Sequence, residues 1–470
     1  MSTPSPSRPS LDPGVDEMRR IGYAAVDRVV EHLAGLAELP VARRGTAAEF
    51  AALVDEPLPA EGRGLDDSLA FFFERVVPRM THVSHPRFHA YVPCPGSFAG
   101  AIGAWLAAGT NPFAGSWLGG ATLASLELTV LRWIAELVGY PSDAEGILTS
   151  GGSMANLAAL AAARARRTPH EAARVFVSEE GHASVDKAAS ILGVPASCVV
   201  RVPVDARLRM RPDALRELLD AEREAGRAPL AVCANAGTTN TGAIDPLDEI
   251  ADVCRAFDVW FHVDGAYGGF AALADEARER LAGMARADSL TLDPHKWLYA
   301  PMGTGCVLVR HRNALRSAFS AQGYYLRDLP PDEVNFLDFG PELSRRARAL
   351  PVWTLLRSVG RTALAEQIAT DLRFARLAAA LLADDPRFEI VDPPQLSVVA
   401  FRHVARDGEG EDERAARDVE LMERTLADGT SMLSSTIVAG RSALRLVVMN
   451  HRTTEADVRL TVRRVRELAP

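Results

Sequence analysis

Of the 52 basic residues in this chain of 470, only Lys187 and Lys296 are lysines; the others are arginines. A chain that uses arginine wherever a surface charge suffices singles out its lysines as places where guanidinium cannot serve. An amine that can lose its proton attacks a carbonyl and forms an imine, and guanidinium cannot. Lys296 stands in Leu292-Asp293-Pro294-His295-Lys296-Trp297-Leu298-Tyr299, at the end of an apolar run. Burial there is expected to lower the lysine pKa and free the amine. Lys187 follows Asp186 in a helical pattern and reads as a solvated helix charge.

Three other features carry chemistry. Ser150-Gly151-Gly152-Ser153 lies between a strand pattern and a helix pattern. Glycines let the backbone approach an anion, and a helix N-terminus points amide donors at it. The same residues also fit a plain tight turn with Ser153 as N-cap. They match neither G-x-G-x-x-G nor a Walker loop. Asp264 closes an apolar strand and is followed by Gly265-Ala266-Tyr267-Gly268-Gly269. A buried acid must be paired, and small neighbours leave room for a flat ligand. A magnesium ligand, a partner for a protonated ring nitrogen and a turn cap all fit it. His182 follows a strand and can stack on an aromatic ring or serve the structure alone. A phosphate loop, a stacking imidazole, a ring-nitrogen acid and an imine-forming amine are together what pyridoxal phosphate requires.

These residues need a scaffold, and the pattern supplies one. Short apolar runs at 147–149, 175–177, 230–233, 259–263 and 290–292 end at the polar residues above; 306–309 is a further strand. Helical patterns cover 155–167, 212–225, 246–257 and 271–282. Such alternation predicts an α/β fold with a mostly parallel central sheet flanked by helices. Ligands then sit at the carboxyl ends of the strands. Residues 1–13 read as a disordered tail and 14–89 as an N-terminal helical arm, with helices over 15–37 and 65–77 joined by a polar, proline-containing stretch. The large domain spans 90–350. Its irregular segment 322–342 has the character of a mobile active-site loop. Residues 351–470 form a small C-terminal α+β domain, with a helix over 351–383, strands at 388–391, 396–401 and 443–449, and helices at 412–426 and 454–468.

Composition narrows the function classes. Hydrophobic residues make up 48% and charged residues 24%, as in ordinary soluble globular chains. The net charge of −9 gives no nucleic-acid footprint and no attraction to an anionic membrane. No apolar run reaches the length of a membrane span, and the first residues lack the apolar core of a secretory signal. Five scattered cysteines without a C-x-x-C argue against a disulfide framework or a metal site and fit a reducing cytoplasm.

In order and spacing, the chain resembles the pyridoxal-phosphate-dependent group II amino-acid decarboxylases, the family of aromatic-L-amino-acid decarboxylase, over about residues 15–468. The resemblance rests on His85-Pro86-Arg87-Phe88-His89-Ala90-Tyr91, the turn at 149–156 and Gly181-His182-Ala183-Ser184-Val185. It continues in Gly237-Thr238-Thr239, His262-Val263-Asp264-Gly265-Ala266-Tyr267, Asp293-Pro294-His295-Lys296-Trp297 and Leu343-Ser344-Arg345-Arg346. It implies fold type I, a cytoplasmic homodimer with active sites at the subunit interface, and decarboxylation of an L-amino acid to the amine and CO2. Lys296 would hold pyridoxal phosphate as an internal aldimine, Asp264 would pair with the ring nitrogen and His182 would stack on the ring. Gly152, Ser153, Asp293 and His295 would surround the phosphate, with Thr239 and Ala266 also on the cofactor. Tyr91, Val92, Pro93, Cys94 and Phe98 would line the substrate side. Phe113 and Gly115 would reach the partner subunit's site, where glycine suggests a roomy pocket. The aromatic front of Tyr91, Phe98 and Phe113 favours an aromatic substrate; an acidic one such as glutamate would need a basic group.

Two positions depart from the family pattern. The family's mobile loop carries a tyrosine that supports protonation of Cα. Counting back from Arg345-Arg346 places Phe336 there, or Phe339 after a small shift, while Tyr324 and Tyr325 lie at the other end of the loop. Phenylalanine at that position is associated with aldehyde synthases, in which the unprotonated quinonoid reacts with O2. Asp293 stands where the mammalian aromatic enzyme has asparagine, an unfavourable neighbour for a phosphate unless it points away or accepts hydrogen bonds.

Overall fold

The computed structural model describes residues 11–166, 173–320, 328–329 and 333–470. Runs rich in Val, Leu, Ala and Cys, buried on both faces, make the central sheet. Its strands are β1 (Glu145–Thr149), β2 (Arg174–Ser178), β3 (Val199–Val202), β4 (Pro229–Asn235), β5 (Trp260–Gly265), β6 (Ser289–Leu292) and β7 (Gly305–Val309). They lie in the order β1-β7-β6-β5-β4-β2-β3. β2 to β6 run parallel, which explains why they read as continuous apolar runs rather than alternating ones. β3 had no counterpart in the sequence reading; it is half-exposed at the sheet edge.

β7 is antiparallel to both β1 and β6. Leu292 pairs with Cys306 and Thr149 with Gly305, so residues 293–304 form an excursion above the sheet's carboxyl edge, beside the end of β1. That excursion carries Lys296. Gly305 is required there, because a Cβ would lie 2.5 Å from the Gly151 Cα.

The arm contains α1 (Val15–Ala34), α2 (Ala47–Val54) and α3 (Leu65–Phe71). α2 falls in the stretch read as irregular; a capping box between Thr46 and Glu49 starts it. The helix expected over 65–77 leaves α-geometry after Phe71 and continues as a wider turn over Phe72–Val76. Two helices were not expected, α4 (Phe98–Thr110) and α5 (Trp117–Val138). Their glycines weaken the helical pattern, but packing requires them: a Cβ on Gly103 would sit 2.6 Å from the Leu350 carbonyl oxygen.

Around the sheet lie α6 (Gly152–Arg166), α7 (Ala183–Ile191), α8 (Pro212–Glu224), α9 (Leu247–Ala256), α10 (Asp275–Leu281) and α11 (Ala314–Phe319). α10 is shorter than the expected 271–282, because Gly269–Leu273 forms a tighter turn. α12 (Ala349–Ala383) bends at Gly360, where φ is 77°. The first core draws on α12 up to Leu372 and also on Leu396, Val398, Val447 and Met449, and a second core begins at Phe374. Beyond it come β8 (Phe388–Ile390), β9 (Val398–His403), α13 (Glu411–Asp428), β10 (Ser434–Val438), β11 (Arg441–Val447) and α14 (Glu455–Leu468). These strands form an antiparallel sheet in the order β10-β11-β9-β8. β10 was not expected, since only its two ends are buried. Among the described residues no helix is long and apolar enough to cross a membrane. Most of the tail and residues 321–327 and 330–332 of the expected loop lie outside the described residues.

Candidate active site

A cavity of about 290 Å³ opens at the carboxyl ends of β1, β2, β4, β5 and β6. Its wall brings together nine residues singled out in the sequence: Gly152, Ser153, His182, Thr239, Asp264, Ala266, Asp293, His295 and Lys296. Lys187 is exposed on α7, as a solvated charge should be.

The Lys296 Nζ lies 3.0 Å from Asp293 Oδ2. Burial pulls the lysine pKa down, but the carboxylates of Asp293 and Asp264 outweigh it and hold the group above its ordinary value. Burial alone therefore does not free the amine, because the two carboxylates favour its charged form. Asp293 meets Lys296 through Oδ2, while its Oδ1 is buried without a partner among the described residues. His295 donates from Nδ1 to the Thr304 carbonyl at 2.7 Å, burial lowers its pKa, and its Nε2 lies 3.8 Å from Asp293 Oδ2. Gly152 opens α6, and a Cβ there would stand 2.9 Å from Asp293 Oδ2 and 3.0 Å from the Ala266 Cβ. The backbone of the glycine turn thus forms a cradle that any larger side chain would fill.

Asp264 ends β5 and is held on both oxygens. The Ala266 amide donates to Oδ1 at 3.0 Å, and Asn156 Nδ2 donates to Oδ2 at 2.8 Å. Asn156 Nδ2 also donates to Ser184 Oγ at 2.8 Å, and the Ser184 hydroxyl donates to His182 Nδ1 at 2.7 Å. The proton of a neutral His182 ring is therefore on Nε2. On its other side, Asn156 Oδ1 accepts from His262 Nε2 at 3.0 Å. His262 Nδ1 in turn accepts from Ser289 Oγ at 2.9 Å, and Ser289 accepts from Trp260 Nε1 at 2.8 Å. Burial holds His262 below the usual imidazole range, consistent with a neutral ring inside this relay. Asn156, Ser184 and His262 had no assigned role in the sequence reading, although each lies within a quoted motif. Met302, on the rim, gave no sequence signal at all.

The substrate-side candidates are placed differently. Tyr91, Pro93, Cys94, Phe98, Phe113, Gly115 and Phe336 do not line this chain's cavity. Cys94 is close enough to Lys296 and Asp293 to feel both charges, and burial pushes its thiol up to about 12. Tyr91 and Phe98 are exposed, and Tyr91 has φ 57°. Gly115 does not open a pocket: a Cβ there would lie 2.5 Å from Phe113 Cζ and 2.6 Å from the Leu343 carbonyl oxygen.

Phe336 lies away from the cavity wall. It is 1% exposed, packed edge-on against Phe339 at 5.7 Å with the Arg345 guanidinium 5.0 Å over its ring. Arg345 is itself buried and paired with Glu127 at 2.7 Å. The flanking residues are tied to the start of α5, Leu337 through the Gly115 carbonyl at 2.8 Å and Asn335 through the Trp117 amide at 3.0 Å. Residues 335–338 are buried and Phe339 is partly buried, packed against the same core. Tyr324 and Tyr325 lie outside the described residues.

The described wall fits pyridoxal phosphate: an amine, an acid with fixed oxygens, an imidazole and a glycine cradle at a helix start surround one cavity. Comparison with known proteins agrees. The family described as pyridoxal-dependent decarboxylase conserved domain matches residues 49–404. An aromatic-L-amino-acid decarboxylase of Bacillus atrophaeus is 37% identical, covering 98% of this chain and 97% of that protein. The crystal structure of Oryza sativa TDC with PLP and tryptamine superposes with a TM-score of 0.93 at 28% identity, covering 98% of this chain and 99% of the other. That of Rhodiola rosea 4-hydroxyphenylacetaldehyde synthase superposes with a TM-score of 0.89 at 28% identity, covering 97% and 98%.

Proposed function

The chain belongs to the pyridoxal-dependent decarboxylases, and on that premise we propose that it converts an aromatic L-amino acid to the amine and CO2. The observation that carries this is the single cavity in which Lys296, Asp264 and His182 converge around the Gly151-Gly152-Ser153 cradle. When bound, pyridoxal phosphate supplies an electron sink for the pair released as the Cα–carboxylate bond breaks. Every other part belongs to the chain. The α6 N-terminus and the glycine turn take the phosphate. Lys296 holds the cofactor through its amine. Asp264, fixed on both oxygens, keeps a proton at the ring nitrogen, and His182 presents its face to the ring. Asp293 accepts from the Lys296 ammonium at 3.0 Å and keeps a proton at that nitrogen whenever the amine is released.

An acidic substrate fits less well. The described cavity wall contains no arginine, and Lys296 is already paired. The aldehyde-forming alternative has a relative in the Rhodiola rosea enzyme, but the residue that suggested it, Phe336, is core. The homodimer is supported by apolar side chains the single chain leaves exposed: Tyr23 on α1, Trp105 and Leu106 on α4, Leu118 on α5, and Phe72. A second copy of this chain would cover them, with Phe113 passing to its site. All five cysteines are free, which supports the cytoplasmic reading.

The test is product analysis by mass spectrometry, in air, with Tyr, Trp, Phe, dihydroxyphenylalanine, His and Glu offered separately. Amine from an aromatic substrate is expected. Aldehyde with peroxide would overturn the assigned product, and turnover of Glu alone would overturn the substrate class.

A further inference from the structure

Asp371 lies on α12 with 0% exposure, and among the described residues no basic side chain pairs with it. A buried carboxylate without a cation is costly. Burial pushes this one up to about 7. Its hydrogen bonds show what it does. Oδ2 accepts from Trp297 Nε1 at 2.9 Å and from the Tyr299 hydroxyl at 2.7 Å, and Oδ1 accepts from Gln367 Nε2 at 3.3 Å. Trp297 directly follows Lys296. Tyr299 has φ 55°, a left-handed conformation that a bulky residue adopts only when its surroundings impose it. Its amide donates back to the Lys296 carbonyl at 3.0 Å, and its carbonyl accepts from the Ser97 amide at 2.7 Å. Trp297 also stacks on Tyr267, with ring centroids 5.2 Å apart and planes 11° from parallel. Tyr267 follows Ala266 in the cavity wall.

We propose that Asp371 is a positioning residue for Lys296: one buried carboxylate gathers the side chains of Trp297 and Tyr299 and so fixes the turn that aims the amine into the cavity. An apolar residue of similar size could fill the same space, but it could not orient two rigid rings through their donors. The inference rests on Lys296 being the residue that holds the cofactor.

The experiment compares holoenzymes of wild type, Asp371→Leu and Asp371→Asn. Three quantities are read: cofactor affinity, the visible absorbance of the Lys296-bound cofactor, and kcat/KM. Asp371→Leu keeps the branched four-atom side chain, somewhat enlarged, and removes both acceptors; it should weaken cofactor binding at least about tenfold, shift the absorbance and lower kcat/KM about 10²-fold, the scale of an ångström of misplacement. Asp371→Asn keeps an oxygen for the two donors and should restore all three readouts to within a few-fold of wild type. If Asp371→Leu does not fold, Tyr299→Phe removes one donor while keeping the ring and should show an intermediate loss. A folded Asp371→Leu with wild-type affinity and absorbance overturns the role, as does an Asp371→Asn as defective as the leucine variant. Borohydride trapping of the wild type separates the two readings: cofactor attached elsewhere than Lys296 overturns both this inference and the assigned site.

Discussion

Asn156→Ala tests whether Asp264 depends on its buried donor. Asn156 is fully buried and spends both Nδ2 hydrogens, one on Asp264 Oδ2 and one on Ser184 Oγ, each at 2.8 Å. A hydrogen bond to a charged group contributes about 1.5–3 kcal/mol, and its loss leaves Asp264 Oδ2 without the donor that fixes it. A carboxylate free to turn would hold the ring nitrogen less well. At about 1.4 kcal/mol per tenfold, the expected loss of pyridoxal phosphate affinity is roughly 10- to 100-fold near neutral pH. The neutral His262 cannot compensate, because it too loses its partner at Asn156 Oδ1. The freed groups add about 1–3 kcal/mol of destabilisation, so thermal unfolding must first show a folded variant. The assay is fluorescence titration of cofactor-free protein with pyridoxal phosphate. A dissociation constant within about twofold of wild type, in a folded variant, would refute the idea that cofactor binding depends on this relay holding Asp264 in place.

Lys296→Ala should abolish turnover and borohydride-trappable attachment, read by peptide mass spectrometry; multiple turnover would remove its role. Phe336→Tyr should leave the amine-to-aldehyde ratio unchanged, because its hydroxyl would enter core, and should cost about 1–3 kcal/mol in denaturant unfolding. A changed ratio would return that position to the active site. Arg345→Met strands the buried Glu127 carboxylate and should cost about 3–5 kcal/mol, whereas Glu127→Leu combined with Arg345→Met should recover most of it. Equal losses in the single and double variants would show that the pair is not the source of the effect.

The residues proposed to perform the chemistry were legible because their types are constrained. Imine formation demands a lysine, the anion cradle demands glycine, and both stand beside apolar strands whose periodicity is local. α4, α5 and β10 were missed for the opposite reason. Gly100 and Gly103 of α4 answer neighbours distant in the chain, Gly119 and Gly120 of α5 make room for Phe113, and β10 buries only its ends. The burial of Phe336 beneath the Arg345 guanidinium was likewise not legible, because its partners come from elements that spacing along the loop does not reveal.

The chain alone thus determined the α/β class, the family and the set of residues proposed to react. Tertiary structure decided the state of those residues. Whether Lys296 is an amine or an ammonium depends on Asp293 and Asp264, since electrostatic energy depends on distance in space rather than along the chain. Asn156, His262 and Asp371 gain their roles in the same way. A buried polar group must find its partners wherever the fold puts them, and those partners come from elements far apart in sequence.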